Sequence, residues 1–388
     1  MIKYINELKR EELNGKKVLL RVDFDVPLRQ LPITNNQPLT KIGEDFRIKA
    51  QKETIDYLIS AGAKVLLVGH SGHDTSDASF GPVVEELGEI LGQTLTLVPH
   101  SELGGVHKLF EVSQLLLLDN IRQDSREVKN DEGLAVSLSN GFDYYVSNAF
   151  AVMHRNHASV AAIAQQLPAY AGLLVKKEIE KLGEAVNEPA EGKILILGGA
   201  KISTKLPVIK NFIDKAEKIL IGGALANNFF QARGIKVGTS VVDNSVEPDV
   251  ISEKIILPQD VLITDDKTGS SDAESSPIKD IDPNQAILDI GPETAKHYAE
   301  IIGGAKIVIW NGPMGLSEID AFTEGTRVVA KAVATMERSI VGGGDTIAAI
   351  DKLGLMSQYD FISTGGGAML EFLAGNKLPG LDVLGYYK

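Results

Sequence analysis

The feature that most constrains this chain is a repeated unit in which a short aliphatic run meets a glycine-rich turn and a helical pattern follows. Ile194-Leu195-Ile196-Leu197 leads into Gly198-Gly199-Ala200-Lys201, and Lys218-Ile219-Leu220-Ile221 leads into Gly222-Gly223-Ala224. Ile307-Val308-Ile309 runs into Trp310-Asn311-Gly312-Pro313-Met314-Gly315. Gly342-Gly343-Gly344-Asp345-Thr346 and Gly365-Gly366-Gly367-Ala368 repeat the glycine element. A strand, a glycine turn and a helix start together carry bare backbone N–H groups to a phosphate at the positive end of a helix. One such turn is weak evidence. Five, two of them carrying a Lys or an Asp-Thr pair, point to a nucleotide site. Neither G-x-x-x-x-G-K-[ST] nor G-x-G-x-x-G is present, so neither the Walker nor the dinucleotide fingerprint supports this reading.

The first half alternates in the same way. Lys17 to Val22, Lys64 to Val68, Leu115 to Leu118 and Tyr144 to Val146 read as buried strands, with helical patterns over Ile48–Ala61 and Pro82–Leu91. Alternation of this kind predicts an α/β fold with mostly parallel sheets. The 388 residues are enough for two domains, and 38 glycines with few aromatics suit tight βα turns. Ala161 to Ala185 reads as one long helical stretch, which makes it the connector and puts the boundary near residue 170. The polar run from Asp265 to Pro283 reads as a surface loop or an edge excursion.

The net charge of −13 argues against general binding to nucleic acid or anionic membranes. The absence of cysteine removes disulfides, thiol nucleophiles and Cys-type zinc sites from consideration. No apolar run has the length of a membrane span, and a cytoplasmic protein is expected.

Open α/β sheets bind ligands beyond the carboxyl ends of their strands. In the first half those ends carry Asp23, Asp25, His70, His73, Arg122, His154, Arg155 and His157, with Arg47 nearby. Recurrence of arginine and histidine at successive strand ends favours a cradle for a small phosphorylated acid over ordinary loop polarity. The pairs His70-x-x-His73 and His154-x-x-His157 also admit a zinc reading, which the adjacent arginines oppose. In the second half Lys201 and Lys205, four apart, would share a helical face and neutralise polyphosphate. Asp345 either offers Mg²⁺ an oxygen or caps a helix.

Taken together, these residues resemble the phosphoglycerate kinase family, in order and over nearly the whole chain. The motifs that carry the resemblance are Arg21-Val22-Asp23-Phe24, His154-Arg155-x-His157, Gly198 to Lys201, Asn311 to Gly315, Gly342 to Thr346 and Ser363 to Ala368. The resemblance implies two Rossmann-like lobes joined by a hinge helix. Residues 1–170 would bind 3-phosphoglycerate or 1,3-bisphosphoglycerate, with 373–388 packing back on them, and residues 171–372 would bind ATP or ADP with Mg²⁺. It implies substrate contacts from Asp23, Asp25, Arg47, His70, His73, Arg122 and Arg155. Nucleotide contacts would come from Gly199, Ala200, Lys201, Lys205, Gly223, Leu288, Asn311, Pro313, Glu318, Gly343, Gly344, Asp345 and Thr346. Glu318 would meet the ribose and Asp345 the metal. Arg47, Lys201, Gly366 and Gly367 would attend the moving phosphoryl, with Arg47 and Lys201 converging only when the lobes close. A monomer acting on small molecules is expected.

The sequence departs from the family pattern at several places. Asp25 stands where an asparagine is usual, His73 replaces an arginine, and the segment Leu28 to Asp45 is longer. Thr204 replaces an aspartate, and Ile287 stands where a glycine lines the adenine pocket. These changes leave open a kinase of a related acid with fewer negative charges, or a nucleotide-binding regulator that has lost transfer.

Overall fold

A computed structural model describes residues 1–34, 37–72, 77–243, 250, 252–266, 268 and 273–388. The chain divides into two compact units, Met1–Ile179 with Lys377–Lys388, and Glu180–Asn376. The division falls inside the helix Leu173–Asn187, not ahead of it.

The first unit is built on a six-stranded parallel sheet. Its strands are β1 (Lys17–Arg21), β4 (Lys64–Val68), β5 (Thr96–Val98), β6 (Leu115–Leu118), β7 (Tyr144–Ser147) and β8 (Ala169–Ala171), in the order β5-β6-β4-β1-β7-β8. Their continuous apolar runs follow from burial on both faces. Val18, Leu20, Val65, Leu67, Leu115 and Leu117 pack with Ile48, Ile55 and Leu58 of the helix Phe46–Ser60. Their sequence neighbours Leu19, Leu66, Leu116 and Leu118 pack with Leu134, Ala135 and Leu138 of the helix Glu132–Ser139. The period-2 alternation of a strand thus divides one sequence between two cores. The long segment after β1 is an antiparallel hairpin, β2 (Leu28–Thr34) and β3 (Gln37–Ile42).

In the second unit β9 (Lys193–Leu197), β10 (Lys218–Ile221), β11 (Ile255–Ile256), β15 (Ile307–Asn311), β16 (Ser339–Gly342) and β17 (Phe361–Ser363) form a parallel sheet in the order β11-β10-β9-β15-β16-β17. Beside it, β12 (Asp260–Thr264), β13 (Glu274–Pro277) and β14 (Ala286–Ile290) form an antiparallel sheet in the order β13-β12-β14.

One expectation is corrected. The stretch 161–185 is not one helix: a 3₁₀ turn at Ala162–Gln165 ends before Pro168, β8 follows as an edge strand beside β7, and only then does Leu173 open the long helix. Proline removes a backbone donor and sets the preceding residue extended, which ends the helical run there. Of the two readings of the polar run from Asp265 to Pro283, the edge excursion holds for β13, a mostly exposed edge strand whose pairing with β12 needs no apolar side chains.

Candidate active site

In the first unit the sheet reverses direction of travel between β1 and β7, and the polar side chains gather beyond the strand ends on either side of that point. Asp23 and Asp25 follow β1, His70 follows β4 and Arg122 follows β6. Arg47 lies in the first turn of the helix Phe46–Ser60, the end where the helix dipole disfavours a cation. It is held there by acceptors: its Nη1 donates to Asp25 O at 3.2 Å and stands 3.6 Å from Asp23 Oδ2.

Asp23 is buried, and burial pushes its carboxyl up against the pull of Arg47. Its Oδ1 accepts the Asp25 N–H at 3.2 Å, while Oδ2 accepts no hydrogen bond among the described residues. Asp25 Oδ1 accepts the Gly72 N–H at 2.9 Å, and Arg122 Nη1 donates to Gly72 O, so the turn after β4 is held from both sides. His70 Nε2 stands 3.6 Å from Asp25 Oδ2. Burial first, then the Arg21 and Arg122 cations, hold the His70 imidazole well below its usual range, so this contact is made by a neutral ring and is not an ion pair.

Arg47, Asp23, Asp25, His70 and Arg122 are therefore brought together. Arg155 is exposed beyond β7, and no hydrogen bond or ion pair joins it to the other five among the described residues. His73 lies outside the described residues. No group of three or more His, Asp or Glu side chains that could hold a metal occurs among the described residues.

In the second unit the reversal lies between β9 and β15, and the glycine turns meet there backbone to backbone. Gly198 N donates to Asn311 O at 3.0 Å, Gly199 N to Pro313 O at 2.8 Å and Gly223 N to Met314 O at 2.7 Å. Such an approach excludes side chains: a Cβ on Gly223, whose φ is +59°, would stand 2.5 Å from Gly199 N. Gly312 N donates to Thr346 Oγ1 at 2.7 Å, tying the turn after β15 to the helix Gly344–Lys352. Asn311, Pro313 and Thr346 are buried here, while Gly344 and Asp345 are exposed in the first turn of that helix, with Gly343 as its N-cap.

Lys201 and Lys205 do not share a helical face. The helix is Ile202–Phe212, and Lys201 is its exposed N-cap, in a non-helical conformation after Ala200. Lys205 is buried and donates to Gly198 O. Burial lowers its ammonium to about 8, although the Asp345 carboxylate pulls it upward. Gly366 and Gly367 open the helix Gly367–Leu373, where the first N–H groups have no intrahelical acceptor.

A small apolar cavity is lined by Gly223, Ala226, Pro258, Val261, Ile287 and Leu288, so Gly223 and Leu288 come together. Leu316 N donates to Leu288 O at 2.8 Å and anchors the loop that carries exposed Glu318. Asp289, next on β14, is a residue the sequence reading missed. It accepts the Gly325 and Ile290 N–H groups, each at 2.8 Å, and burial pushes its carboxyl up to about 7. Arg21, Ser159 and Glu127 were missed as well. They form a buried polar chain behind His70, and only the polarity of Arg21 inside an aliphatic strand hinted at it.

A family model described as phosphoglycerate kinase matches residues 8–376. The phosphoglycerate kinase of Moorella thermoacetica is 40% identical over 394 residues, covering 97% of this chain and 98% of its own. That of Dictyoglomus turgidum is 43% identical over 405 residues, covering 98% of each. Among solved structures, phosphoglycerate kinase from Coxiella burnetii superposes with a TM-score of 0.81 at 33% identity, covering 100% of both chains. The enzyme from Pyrococcus horikoshii gives 0.83 at 32% identity, covering 99% of this chain and 98% of its own.

Proposed function

The chain belongs to the phosphoglycerate kinase family, and from that membership we infer its reaction: reversible phosphoryl transfer between 1,3-bisphosphoglycerate with ADP and 3-phosphoglycerate with ATP, in glycolysis or gluconeogenesis. It is a phosphotransferase with a carboxyl group as acceptor. The observation that carries this reading is positional: Asp23, His70, Gly199, Gly223, Gly343 and Gly366 each follow the carboxyl end of a parallel strand, and Asn311 is the last residue of one. The relatives' names do not favour the related-acid kinase or the regulator.

The reaction needs no nucleophilic side chain. In the ATP-consuming direction an ionised carboxylate oxygen of 3-phosphoglycerate attacks the γ-phosphorus, and the bond from that phosphorus to the ADP oxygen breaks. No proton moves, so the protein's work is binding, exclusion of water and stabilisation of charge. Arg47, Arg122 and Arg155 would pair with the acid's anionic groups. Asp23 Oδ2, which accepts no hydrogen bond among the described residues and has the Arg47 cation beside it, suits an acceptor for the substrate hydroxyl. His70, being neutral, would donate a hydrogen bond without adding charge.

Gly223 and Leu288 would hold the base and Glu318 the ribose. Gly199, Ala200, Asn311, Pro313, Gly343, Gly344 and Thr346 would shape the phosphate channel, and Lys205 would lie beneath it. Lys201, with the N–H groups of Gly366 and Gly367, would face the transferring phosphoryl. Asp345 offers one hard carboxylate oxygen close enough to Lys205 to shift it, a donor set that fits Mg²⁺ carried in with nucleotide phosphates. Bound there, Mg²⁺ supplies neutralisation of phosphate charge.

We further propose a cytoplasmic monomer with small-molecule substrates and no nucleic-acid or membrane partner. The charge of −13 opposes nucleic-acid and anionic-membrane partners, and no helix among the described residues is long and apolar enough to cross a membrane. A coupled assay with 3-phosphoglycerate and MgATP, run beside binding of each ligand alone, tests the function. Turnover is expected, and nucleotide binding without turnover at saturating substrate would overturn it.

A further inference from the structure

Behind His70 runs a line of buried polar groups that ordinary packing does not call for. Arg21 is the last residue of β1 and is 1% exposed. Each part of its guanidinium is occupied: Nη1 donates to Val22 O and to Val68 O, Nε to Ser159 Oγ at 2.8 Å, and Nη2 faces His70 Nδ1 at 3.2 Å. Ser159 Oγ donates to Glu127 Oε1 at 2.6 Å, and the Ser159 N–H donates to Glu127 Oε2 at 2.8 Å. Tyr145 Oη donates to Ser159 O at 2.9 Å, which fixes the serine backbone. Glu127 is fully buried, with His157 Nδ1 3.8 Å from its Oε1.

Donor and acceptor roles along this line are forced. A guanidinium has only donors, so the His70 nitrogen that faces it must accept, and in a neutral ring the proton then sits on Nε2. Nε2 is the nitrogen turned toward Asp25 and the substrate cradle. A serine hydroxyl has one proton, which it donates to Glu127, leaving a lone pair to accept from Arg21 Nε. The carboxylate also offsets the buried Arg21 charge, which would be costly alone.

We propose that Glu127 and Ser159 are positioning residues: they clamp Arg21 so that it holds His70 as the Nε2–H tautomer, aiming a hydrogen-bond donor at the bound acid. The proposal rests on the reading of His70 as a substrate ligand, and its test separates the two.

Full-length protein labelled with ¹⁵N-histidine would be read by the ring-nitrogen resonances of His70, assigned by their loss in His70→Gln. The parent should show an unprotonated Nδ1 and a protonated Nε2. Ser159→Ala, which removes the clamp without stranding the Arg21 charge, should move population to the Nδ1–H form. It should also raise the KM for 3-phosphoglycerate about tenfold with kcat nearly unchanged. Glu127→Gln should move the ring in the same direction if it folds, and Ser159→Thr should restore the parent pattern. A parent ring protonated on Nδ1 overturns the proposal, as does a Ser159→Ala ring unchanged from the parent. A tautomer shift that leaves KM unchanged upholds the clamp and instead removes His70 from the substrate site. General loosening of the fold would lower Tm without selecting a tautomer.

Discussion

Asp25 accepts the Gly72 N–H at 2.9 Å, so the carboxylate that departs from the family's usual asparagine also anchors the turn after β4. Its two effects oppose each other. The charge repels an anionic substrate, while the hydrogen bond holds Gly72, whose carbonyl accepts from Arg122. Asn keeps an acceptor and drops the charge. Asp25→Asn should therefore lower the KM for 3-phosphoglycerate by about three- to tenfold, from removal of one like charge at moderate screening. Asp25→Ala removes both and should raise KM, because the turn loses its anchor. Steady-state kinetics on the two variants decide it: changes in the same direction would show that Asp25 acts through charge alone or through anchoring alone.

Lys205 combines burial with a carboxylate neighbour, and its ammonium is lowered from 10.5 to about 8. A depressed folded value means that native stability gains as pH rises from about 8 toward 10.5, and that this gain is lost as pH falls through about 8. Nucleotide phosphates work the other way and favour the charged form. ADP binding at pH 8 should take up about half a proton, measured by titration calorimetry in buffers of different ionisation enthalpy. Lys205→Met should abolish the uptake. Uptake that persists in the variant would place the titrating group elsewhere.

The parallel strands were legible because strands buried on both faces leave uninterrupted aliphatic runs, as in Leu115–Leu118 and Lys193–Leu197. The tight turns were legible where close backbone approach needs glycine, as at Gly223, where no side chain fits. Three things were not. Apolar content marks residues 161–185 as buried without distinguishing strand from helix, so β8 was hidden. The four-residue spacing of Lys201 and Lys205 carries meaning only inside a helix, and this helix starts at Ile202. Arg21 lies 138 residues from Ser159, and Ser159 lies 32 from Glu127, so no local pattern could assemble their chain.

Asp289 carries the opposite sign from Lys205. Burial, with Glu324 nearby, raises its carboxyl from 3.8 to about 7 against two backbone donors. A raised folded value gives a contribution that is full below 3.8 and lost as pH climbs through about 7. Asp289→Asn cannot titrate. Its loss of one acceptor costs the same at every pH, so the slope is the diagnostic. The stability of Asp289→Asn relative to the parent should improve by roughly 2–4 kcal/mol between pH 4 and pH 8. Urea melts of both proteins at several pH values measure this, and parallel pH profiles would refute it.

Lys201 and Asp345 separate transfer from binding. Lys201 is an exposed N-cap with no side-chain capping bond, so Lys201→Ala leaves the helix and the buried Lys205 in place. Its charge matters most as the phosphoryl moves, and kcat should fall by roughly a thousandfold or more while MgADP affinity stays nearly constant. Asp345 is exposed in the first turn of the helix Gly344–Lys352, where an acid also favours the helix itself. Asp345→Asn should weaken ADP binding when Mg²⁺ is present and change it little in EDTA, because only the metal-linked term is lost. A variant whose affinity matches the parent's with Mg²⁺ and again in EDTA would reduce Asp345 to a favourable helix-end charge. Normal turnover in Lys201→Ala would remove that lysine from the reacting centre, whatever its motif.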